Sequence, residues 1–150
     1  MSNFSVTEVL QKIVSLIREE ASTRGINIET KWRETPALIS MDINKLQQAF
    51  LNIIKNAMES ITAEGKIFIT VDKEGKNYIV VSISDTGCGM TTEEIERIFN
   101  PEYTTKEKGL GLGIPLACEI IRGHGGDVRV ISRKSKGTTF EVVLPRERFN

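Results

Sequence analysis

Hydrophobic residues recur every three or four positions in several stretches of the chain, which is the spacing of a helix with one buried face. The first stretch opens at Ser5-Val6-Thr7-Glu8, a capping-box pattern, and Gly25 is expected to end that helix. The second opens at Asp42, a good N-cap, and is expected to close at Gly65. Their apolar faces comprise Val6, Val9, Leu10, Ile13, Val14, Ile17 and Ala21 in the first helix, and Leu46, Ala49, Phe50, Ile53, Ala57 and Ile61 in the second.

Two shorter helices are predicted further along the chain. Thr91-Thr92-Glu93-Glu94 is a plausible start for one that ends before Pro101. Residues 112–122 form the other, in which Pro115 is tolerated because it lies in the first turn.

Between these helices, hydrophobic and polar residues alternate, as in strands with one buried face. The predicted strands cover residues 26–32, a short segment 37–41, and two hairpins formed by 66–72 with 78–84 and by 127–133 with 138–144. The order of elements predicts an α+β fold, with helices on one face of a mostly antiparallel sheet.

Size and composition narrow the class of protein. The 150 residues correspond to one domain, 1–150, with a core of about residues 5–145. Twenty basic residues balance twenty acidic ones, so neither nucleic acid nor an anionic membrane is a favoured partner. No apolar run approaches the roughly 18 residues of a membrane span. Cys88, Cys118 and the single histidine, His124, make no zinc spacing, and free thiols are expected in a cytoplasmic protein.

Two asparagines on the second helix are candidate magnesium ligands. Asn52 and Asn56 are four residues apart in Asn52-Ile53-Ile54-Lys55-Asn56, so they share one helix face. Magnesium takes hard oxygen ligands and often only one or two from protein, with phosphates and water completing the shell. Ordinary surface asparagines have the same spacing, so this motif alone is weak.

Asp85 is a candidate acceptor for an adenine amino group. It stands where an apolar strand stops and Thr86-Gly87-Cys88-Gly89 begins, and the glycines would let the backbone approach a ring closely. An ordinary turn also places aspartate before glycine.

Alternating glycines in Gly109-Leu110-Gly111-Leu112-Gly113 are a candidate phosphate cradle. Such a backbone can turn several N–H groups toward an anion, and the helix that follows adds its positive end. The motif is neither a dinucleotide fingerprint nor a P-loop, since the strand and the Gly-Lys-Ser/Thr ending are missing. A flexible linker is the alternative.

These motifs, together with two more, follow an order found in a known family. Ile98-Phe99-Asn100-Pro101-Glu102-Tyr103-Thr104-Thr105-Lys106 looks like an F box, and Gly137-Thr138-Thr139-Phe140 matches the final glycine motif. With the N, G1 and G2 boxes formed by the three motifs above, the chain resembles the catalytic ATP-binding domain of bacterial two-component sensor histidine kinases. That domain belongs to the GHKL superfamily, which includes gyrase and the Hsp90 chaperones. The resemblance implies the Bergerat fold, a two-layer α/β sandwich with a mixed, mostly antiparallel sheet.

The resemblance also implies a role for each matching residue, with ATP and Mg²⁺ as the ligands. Asn56 would bind magnesium, with Asn52 beside it near the phosphates, and Asp85 would accept a hydrogen bond from the adenine amino group. Residues 99–108 would belong to a mobile ATP lid. The remaining nucleotide-binding residues would be Lys55, Gly87, Gly89, Met90, Phe99, Thr105, Lys106, Gly109, Leu110, Gly111, Leu112, Gly113 and Thr138.

Two positions depart from the common pattern. Glu59 and Ser60 stand where many relatives carry lysine and an aromatic residue, as in nitrogen-regulator and sporulation-type kinases, so Lys55 or Lys106 would supply the basic contact to the phosphates. His124, at a predicted helix end between glycines, is expected to cap that helix rather than accept phosphate.

The implied function is transfer of the γ-phosphoryl group of ATP to a histidine on a separate dimerisation domain of the same full-length protein, with a response regulator downstream. A gyrase- or chaperone-type ATPase is the first alternative, but Asn52 stands where those relatives carry a water-activating glutamate. A serine kinase of the anti-sigma type is disfavoured for the same reason. The second alternative is a module that only senses nucleotide or binds protein.

Overall fold

The computed structural model describes residues 2–100 and 113–147. Six of the predicted nucleotide-binding residues lie outside this part of the chain, as does most of the proposed lid: Thr105, Lys106, Gly109, Leu110, Gly111 and Leu112.

Helices and strands alternate irregularly along the described chain. The helices are α1 (Val6–Thr23), α2 (Ile43–Ser60), α3 (Thr92–Ile98) and α4 (Gly113–Gly123). The strands are β1 (Ser2–Ser5), β2 (Ile26–Trp32), β3 (Leu38–Met41), β4 (Gly65–Glu74), β5 (Tyr78–Asp85), β6 (Asp127–Arg133) and β7 (Gly137–Pro145). In the part of the chain that the structure describes, no helix is both long and apolar enough to cross a membrane.

Five strands form one mixed sheet in the order β2-β4-β5-β7-β6, with β5 at its centre. Only the β2–β4 pair is parallel in this sheet, and the other neighbours are antiparallel. β1 and β3 form a separate antiparallel pair. The predicted mixed, mostly antiparallel sheet is therefore confirmed.

The helices cover one face of the sheet. Alternate residues of β4 and β5 are fully buried, which are Ile67, Ile69, Val71, Ile79, Val81 and Ile83, while their neighbours stay partly open. The predicted apolar faces of α1 and α2 are buried as well, and α2 packs against both α1 and α4. Truncating one fully buried isoleucine, such as Ile53, would cost about 2–5 kcal/mol.

Local capping signals explain where two helices begin. The Asp42 carboxylate accepts hydrogen bonds from the N–H groups of Asn44 (3.0 Å) and Lys45 (3.2 Å) at the start of α2. Thr91 and Glu94 form a reciprocal capping box at the start of α3. Both caps agree with the sequence prediction, because each depends only on residues within one turn.

One predicted cap and one predicted boundary are wrong, although α1 does begin at Val6 as the sequence predicted. Ser5 makes no side-chain cap to α1, because its hydroxyl bonds the Thr7 hydroxyl (2.7 Å) and accepts from the Ala37 N–H (3.2 Å). α2 ends at Ser60 rather than near Gly65, since Ile61 is already extended (φ −96°, ψ 113°) and Gly65 begins β4. In both cases a contact with a distant segment of the chain overrides the local signal.

Candidate functional site

Asp85 is the last residue of β5, the central strand, and only 4% of its surface is exposed. Its Oδ1 accepts hydrogen bonds from the Gly87 N–H (2.8 Å) and the Thr138 N–H (3.3 Å). Its Oδ2 is equally buried and has no hydrogen-bond partner within the described residues. One oxygen is thus held by the protein, while the other is left as an acceptor.

A buried polar atom without a partner is costly, so the geometry suits a ligand that donates a hydrogen bond to Oδ2. Burial raises the pKa of Asp85, and the hydrogen bond from Gly87 opposes that rise. A neutral amino group, such as that of adenine, would satisfy Oδ2 without bringing a second charge into the site. The residue that the sequence predicted as the adenine acceptor therefore fits such a ligand.

The loop after Asp85 is held on one side by the end of α2. The Cys88 N–H donates to the Ser60 carbonyl (3.0 Å). A Cβ at Gly87 would overlap the Ser60 hydroxyl and come within 2.7 Å of its carbonyl oxygen. Gly87 is therefore required by close packing of the loop on α2, a contact that the sequence prediction did not include.

On its other side the same loop packs on the β6–β7 turn. The Ser135 N–H donates to the Cys88 carbonyl (2.6 Å). Gly89 has φ +68°, and a Cβ there would overlap the Arg133 carbonyl. Both glycines of the Asp-x-Gly-x-Gly motif thus allow the loop to pack closely against neighbouring segments of the protein. Their contact with adenine stays a prediction.

Ser132 links three segments around Asp85. Its hydroxyl accepts from the Met90 N–H (2.8 Å), lies 2.7 Å from the Thr138 hydroxyl, and is 3.2 Å from the Gly137 carbonyl. Ser132 was not among the residues predicted from the sequence. Strand alternation was the signal that could have identified it. Ser132 lies two residues after Val130 in β6, so both face the same side of the sheet, whereas Ile131 and Arg133 face the other.

Asn52 and Asn56 lie one turn apart on α2 and both are half-buried. The Asn52 Nδ2 donates to the Gly113 carbonyl (3.2 Å), so Asn52 holds the start of α4. Ser60, one turn beyond Asn56, contacts the Asp85 loop through Gly87. A single helix thus brings the asparagine motif, the Asp85 loop and the last glycine of the G2 motif together.

The donor set on α2 suits magnesium only together with a nucleotide. In the described part of the chain, no three His, Cys, Asp or Glu side chains are placed to hold a metal ion. Amide oxygens are hard but neutral ligands, and magnesium keeps several waters and binds substrate phosphates in such sites. Asn56 fits this requirement, whereas a free divalent ion would find little charge here.

The structure places the other predicted residues as follows. Met90 and Phe99 are half-buried and pack against the core, while Lys55 is exposed on α2. Thr138 is 4% exposed and lies opposite Asp85 across the β5–β7 pair. His124 follows α4, and its Nδ1 donates to the Ile120 carbonyl (2.8 Å), which is the helix-end contact expected from the sequence.

Comparison with known proteins identifies the family. Residues 41–148 match the family described as histidine kinase-, DNA gyrase B-, and HSP90-like ATPase. Sporulation kinase C of Bacillus subtilis (strain 168) is 38% identical over 141 residues, which cover 93% of this chain and 33% of that protein. The sensor histidine kinase ZraS of Salmonella typhimurium is 30% identical over 145 residues, which cover 97% of this chain and 31% of that protein.

Solved structures show the same fold. The nucleotide-free catalytic domain of histidine kinase ThkA superposes with a TM-score of 0.87 at 27% identity, covering 97% of each chain. Full-length ShkA in complex with AMPPNP superposes with a TM-score of 0.85 at 25% identity, covering 99% of this chain and 31% of that one. The present chain spans about a third or less of the curated relatives named above, at 33% and 31% of their lengths.

Fold, motif order and relatives agree with the resemblance found in the sequence. The four described helices, the mixed five-stranded sheet and the small second sheet match histidine kinase catalytic domains. The chain belongs to the histidine kinase-, DNA gyrase B- and HSP90-like ATPase family, and it is an ATP-binding domain of the kind that sensor histidine kinases carry.

Proposed function

We propose that this domain binds Mg-ATP and donates the γ-phosphoryl group to a histidine on a dimerisation domain of the same full-length protein. The observation that carries the nucleotide assignment is the Asp85 carboxylate, with one oxygen bonded by Gly87 and Thr138 and the other buried without a partner among residues 2–100 and 113–147. The relatives, which are sensor and sporulation kinases, favour phosphoryl transfer over other uses of ATP.

The site residues divide between the base and the phosphates. Asp85 would accept from the adenine amino group, with Thr138 and Met90 beside the ring. Asn56 would hold Mg²⁺, whose charge would offset that of the phosphates. Lys55 is the described candidate for a basic phosphate contact, and the other candidates of the lid and G2 motif lie in residues 101–112.

Phosphoryl transfer depends mainly on positioning and charge stabilisation, so few catalytic side chains are required. Asn52 contributes positioning, because its amide donates to the Gly113 carbonyl and so joins α2 to α4. An amide cannot take a proton from water, which leaves the domain without a base at this position. The acceptor imidazole would itself be the nucleophile.

Partners and location follow from the same proposal. Histidine kinase ThkA has been solved in complex with the response regulator protein TrrA, and 97% of the present chain superposes on that kinase with a TM-score of 0.83. A response regulator is therefore the expected downstream partner. ATP is supplied in the cytoplasm, where the unpaired Cys88 and Cys118 would stay reduced.

Phosphotransfer to a separately purified dimerisation domain tests the proposal. The domain and the histidine-bearing segment of its own full-length protein are mixed with Mg-ATP labelled in the γ-phosphoryl group. We expect acid-labile phosphate on the partner, none on His124, and no transfer when the acceptor histidine is replaced by glutamine. ATP turnover by the domain alone should be slow, since general-base assistance is worth about 10²–10⁴-fold.

Two results would contradict this function. Rapid hydrolysis without the partner would make the protein an ATPase of the gyrase or chaperone type. Tight ATP binding with no transfer to the partner would make it a nucleotide-sensing module.

A further inference from the structure

β2 lies at one edge of the five-stranded sheet. Among residues 2–100 and 113–147, β4 is the only strand that pairs with it. The other side of an edge strand presents a row of N–H and C=O groups that can pair with a strand of another molecule. β2 is seven residues long and contains neither proline nor glycine, so its whole length is suited to such pairing.

Contacts at both ends of β2 show which backbone groups face outward. The Gly25 carbonyl accepts from β4 (3.2 Å), and the Arg33 N–H donates to β4 (2.8 Å). Because these groups alternate in direction along a strand, the odd-numbered residues face β4 and the even-numbered ones face away from it. The Ile28 carbonyl agrees with this assignment, since it accepts from the Arg18 guanidinium (3.1 Å). The outward-facing groups of the strand belong to Ile26, Ile28, Thr30 and Trp32.

Two opposite charges flank the middle of this edge. Glu29 and Lys31 are both exposed, and they share the face of the sheet that the helices do not cover, because Ile26 and Ile28 on the other face are buried. Neither charge has an ion pair within the described residues. Each is therefore available to a charge on a second molecule.

A second copy of β2 matches this edge in one register. In an antiparallel pair, outward-facing residues lie opposite each other, so the two-fold axis passes through a residue position. An axis at Glu29 or at Lys31 would place like charges directly opposite, and an axis at Ile28 would pair neither charge with the other. An axis at Thr30 places Glu29 of each copy opposite Lys31 of the other. These pairs are not hydrogen-bonded, which is the arrangement that brings side chains closest.

We propose that β2 binds β2 of a second copy of this chain, antiparallel about Thr30, and so joins the two sheets edge to edge. Thr30 lies opposite Thr30, and Ile28 of each copy lies opposite Trp32 of the other, with two backbone hydrogen bonds in each of these pairs. The Glu29–Lys31 pairs lie on either side of the axis. Nothing in this pairing requires ATP, so it is independent of the proposed function.

A groove beside β2 has room for a side chain of the second copy. Its volume is about 350 Å³, and it is lined by Arg18 and Ser22 of α1 and by residues 25–28. Trp32 is only half-buried in its own copy, and in the proposed register it lies opposite Ile28 of the other, next to this groove. An indole ring there would meet the Arg18 guanidinium, a favourable contact for an aromatic face.

Sedimentation of the wild-type chain at about 10 μM to 1 mM tests whether the dimer forms. Pairing of one strand buries less surface than a standard interface, so we expect a dissociation constant on the order of 0.1 mM. Amide hydrogen exchange should locate the contact. Exchange at Ile28, Thr30 and Trp32 should slow as the concentration rises, whereas exchange in β6, the other edge strand, should not change.

Exchanging the two charges tests the register. Glu29→Lys or Lys31→Glu alone replaces both attractive pairs with repulsive ones and should weaken dimerisation by about 5- to 30-fold. The double variant Glu29→Lys/Lys31→Glu restores opposite charges across the axis and should return the affinity to within about twofold of wild type. It also has the net charge of wild type, and both positions are exposed, so the fold should be retained.

A proline at the axis tests the backbone pairing. The Thr30 N–H faces away from β4, so Thr30→Pro removes no bond of the β2–β4 ladder, and proline is tolerated on edge strands in this orientation. The variant loses both central hydrogen bonds of the dimer and should be monomeric at 1 mM. Thr30→Val keeps the N–H and should dimerise like wild type. Circular dichroism shows whether each variant is folded, and the charge exchange remains decisive if Thr30→Pro is not.

Three results would overturn the proposal. A wild-type chain that is monomeric at 1 mM does not pair through β2 at all. A dimer that persists unchanged in folded Thr30→Pro is held by another surface. A dimer that the single charge variants leave unchanged, or that the double variant fails to restore, does not have its axis at Thr30.

Discussion

Replacing Asp85 with asparagine changes one atom of the site and keeps its shape. The two oxygens of Asp85 have different tasks, since Oδ1 accepts from Gly87 and Thr138 while Oδ2 has no partner within the described residues. In Asp85→Asn, the amide oxygen should take the Oδ1 position to keep both N–H bonds. The amide NH₂ then stands where the acceptor Oδ2 stood.

The expected loss of ATP affinity follows from this exchange. The adenine amino group would meet a donor in place of a charged acceptor, so one charge-assisted hydrogen bond is lost. Such a bond is worth about 1.5–3 kcal/mol, which corresponds to roughly a 10- to 150-fold weakening. The opposite amide orientation would keep the ligand contact but place NH₂ against the two protein N–H groups that now donate to Oδ1. That orientation is therefore also unfavourable, and ATP affinity should fall in either case.

Calorimetric titration of ATP into wild type and Asp85→Asn measures this loss. Asp72→Asn is the control, because Asp72 lies at the far end of the β4–β5 hairpin, paired with Val80, and its carboxylate accepts from the Lys73 N–H. We expect Asp72→Asn to bind like wild type. Urea unfolding of each empty variant shows whether the fold is retained.

One result would refute the reasoning. If Asp85→Asn binds ATP as tightly as wild type while remaining folded, then Oδ2 is not the adenine acceptor. The nucleotide assignment would then lose the observation on which it depends most.

Three further predictions follow from the site. Burial raises the pKa of Asp85, so its carboxyl contributes stability that is complete below its ordinary pKa and is lost as pH rises through the raised value. The urea-unfolding free energy of the empty protein should therefore decrease as pH rises above that ordinary pKa, and Asp85→Asn should remove this part of the decrease. Asn56→Ala should weaken ATP binding with Mg²⁺ far more than without it, and equal weakening would argue against a metal ligand. Gly75→Ala should cost roughly 1–2 kcal/mol of folding free energy, because Gly75 has φ +66° but open space around it. Gly89→Ala should cost more, since its Cβ would also overlap the Arg133 carbonyl. Equal losses in the two variants would contradict that contact.

Much of the fold was predictable because its signals are local. The helix caps at Asp42 and Thr91 depend on N–H groups one turn away, and the structure contains both. The alternating strands and the apolar helix faces are repeated over many residues, so each pattern averages out individual exceptions. The motif order predicted the family in the same way, because each motif is a short run of adjacent residues.

The pairing of distant segments was harder to predict from the sequence. β1 carries no strand signal of its own in four residues, and it exists because it pairs with β3. Ser5 has the sequence of a cap but bonds Ala37, and Gly65 resembles a helix stop but begins β4. A local preference worth about 1 kcal/mol is overridden when a distant strand offers several hydrogen bonds and a buried face.

In the candidate site, too, local features were predictable from the sequence and contacts between distant segments were not. The sequence by itself determined that Asp85 ends a buried strand before a glycine turn and that Asn52 and Asn56 share a helix face, since strand alternation and helical spacing dictate both. Only the tertiary structure decided which oxygen of Asp85 has no partner in the described part of the chain, because its other oxygen accepts from the N–H of Thr138, 53 residues away. It likewise decided that Gly89 must lack a side chain and that Ser132 joins Met90 to Thr138. Such contacts depend on how the β6–β7 turn packs against the loop after β5, and close packing between distant segments has no short-range pattern along the chain.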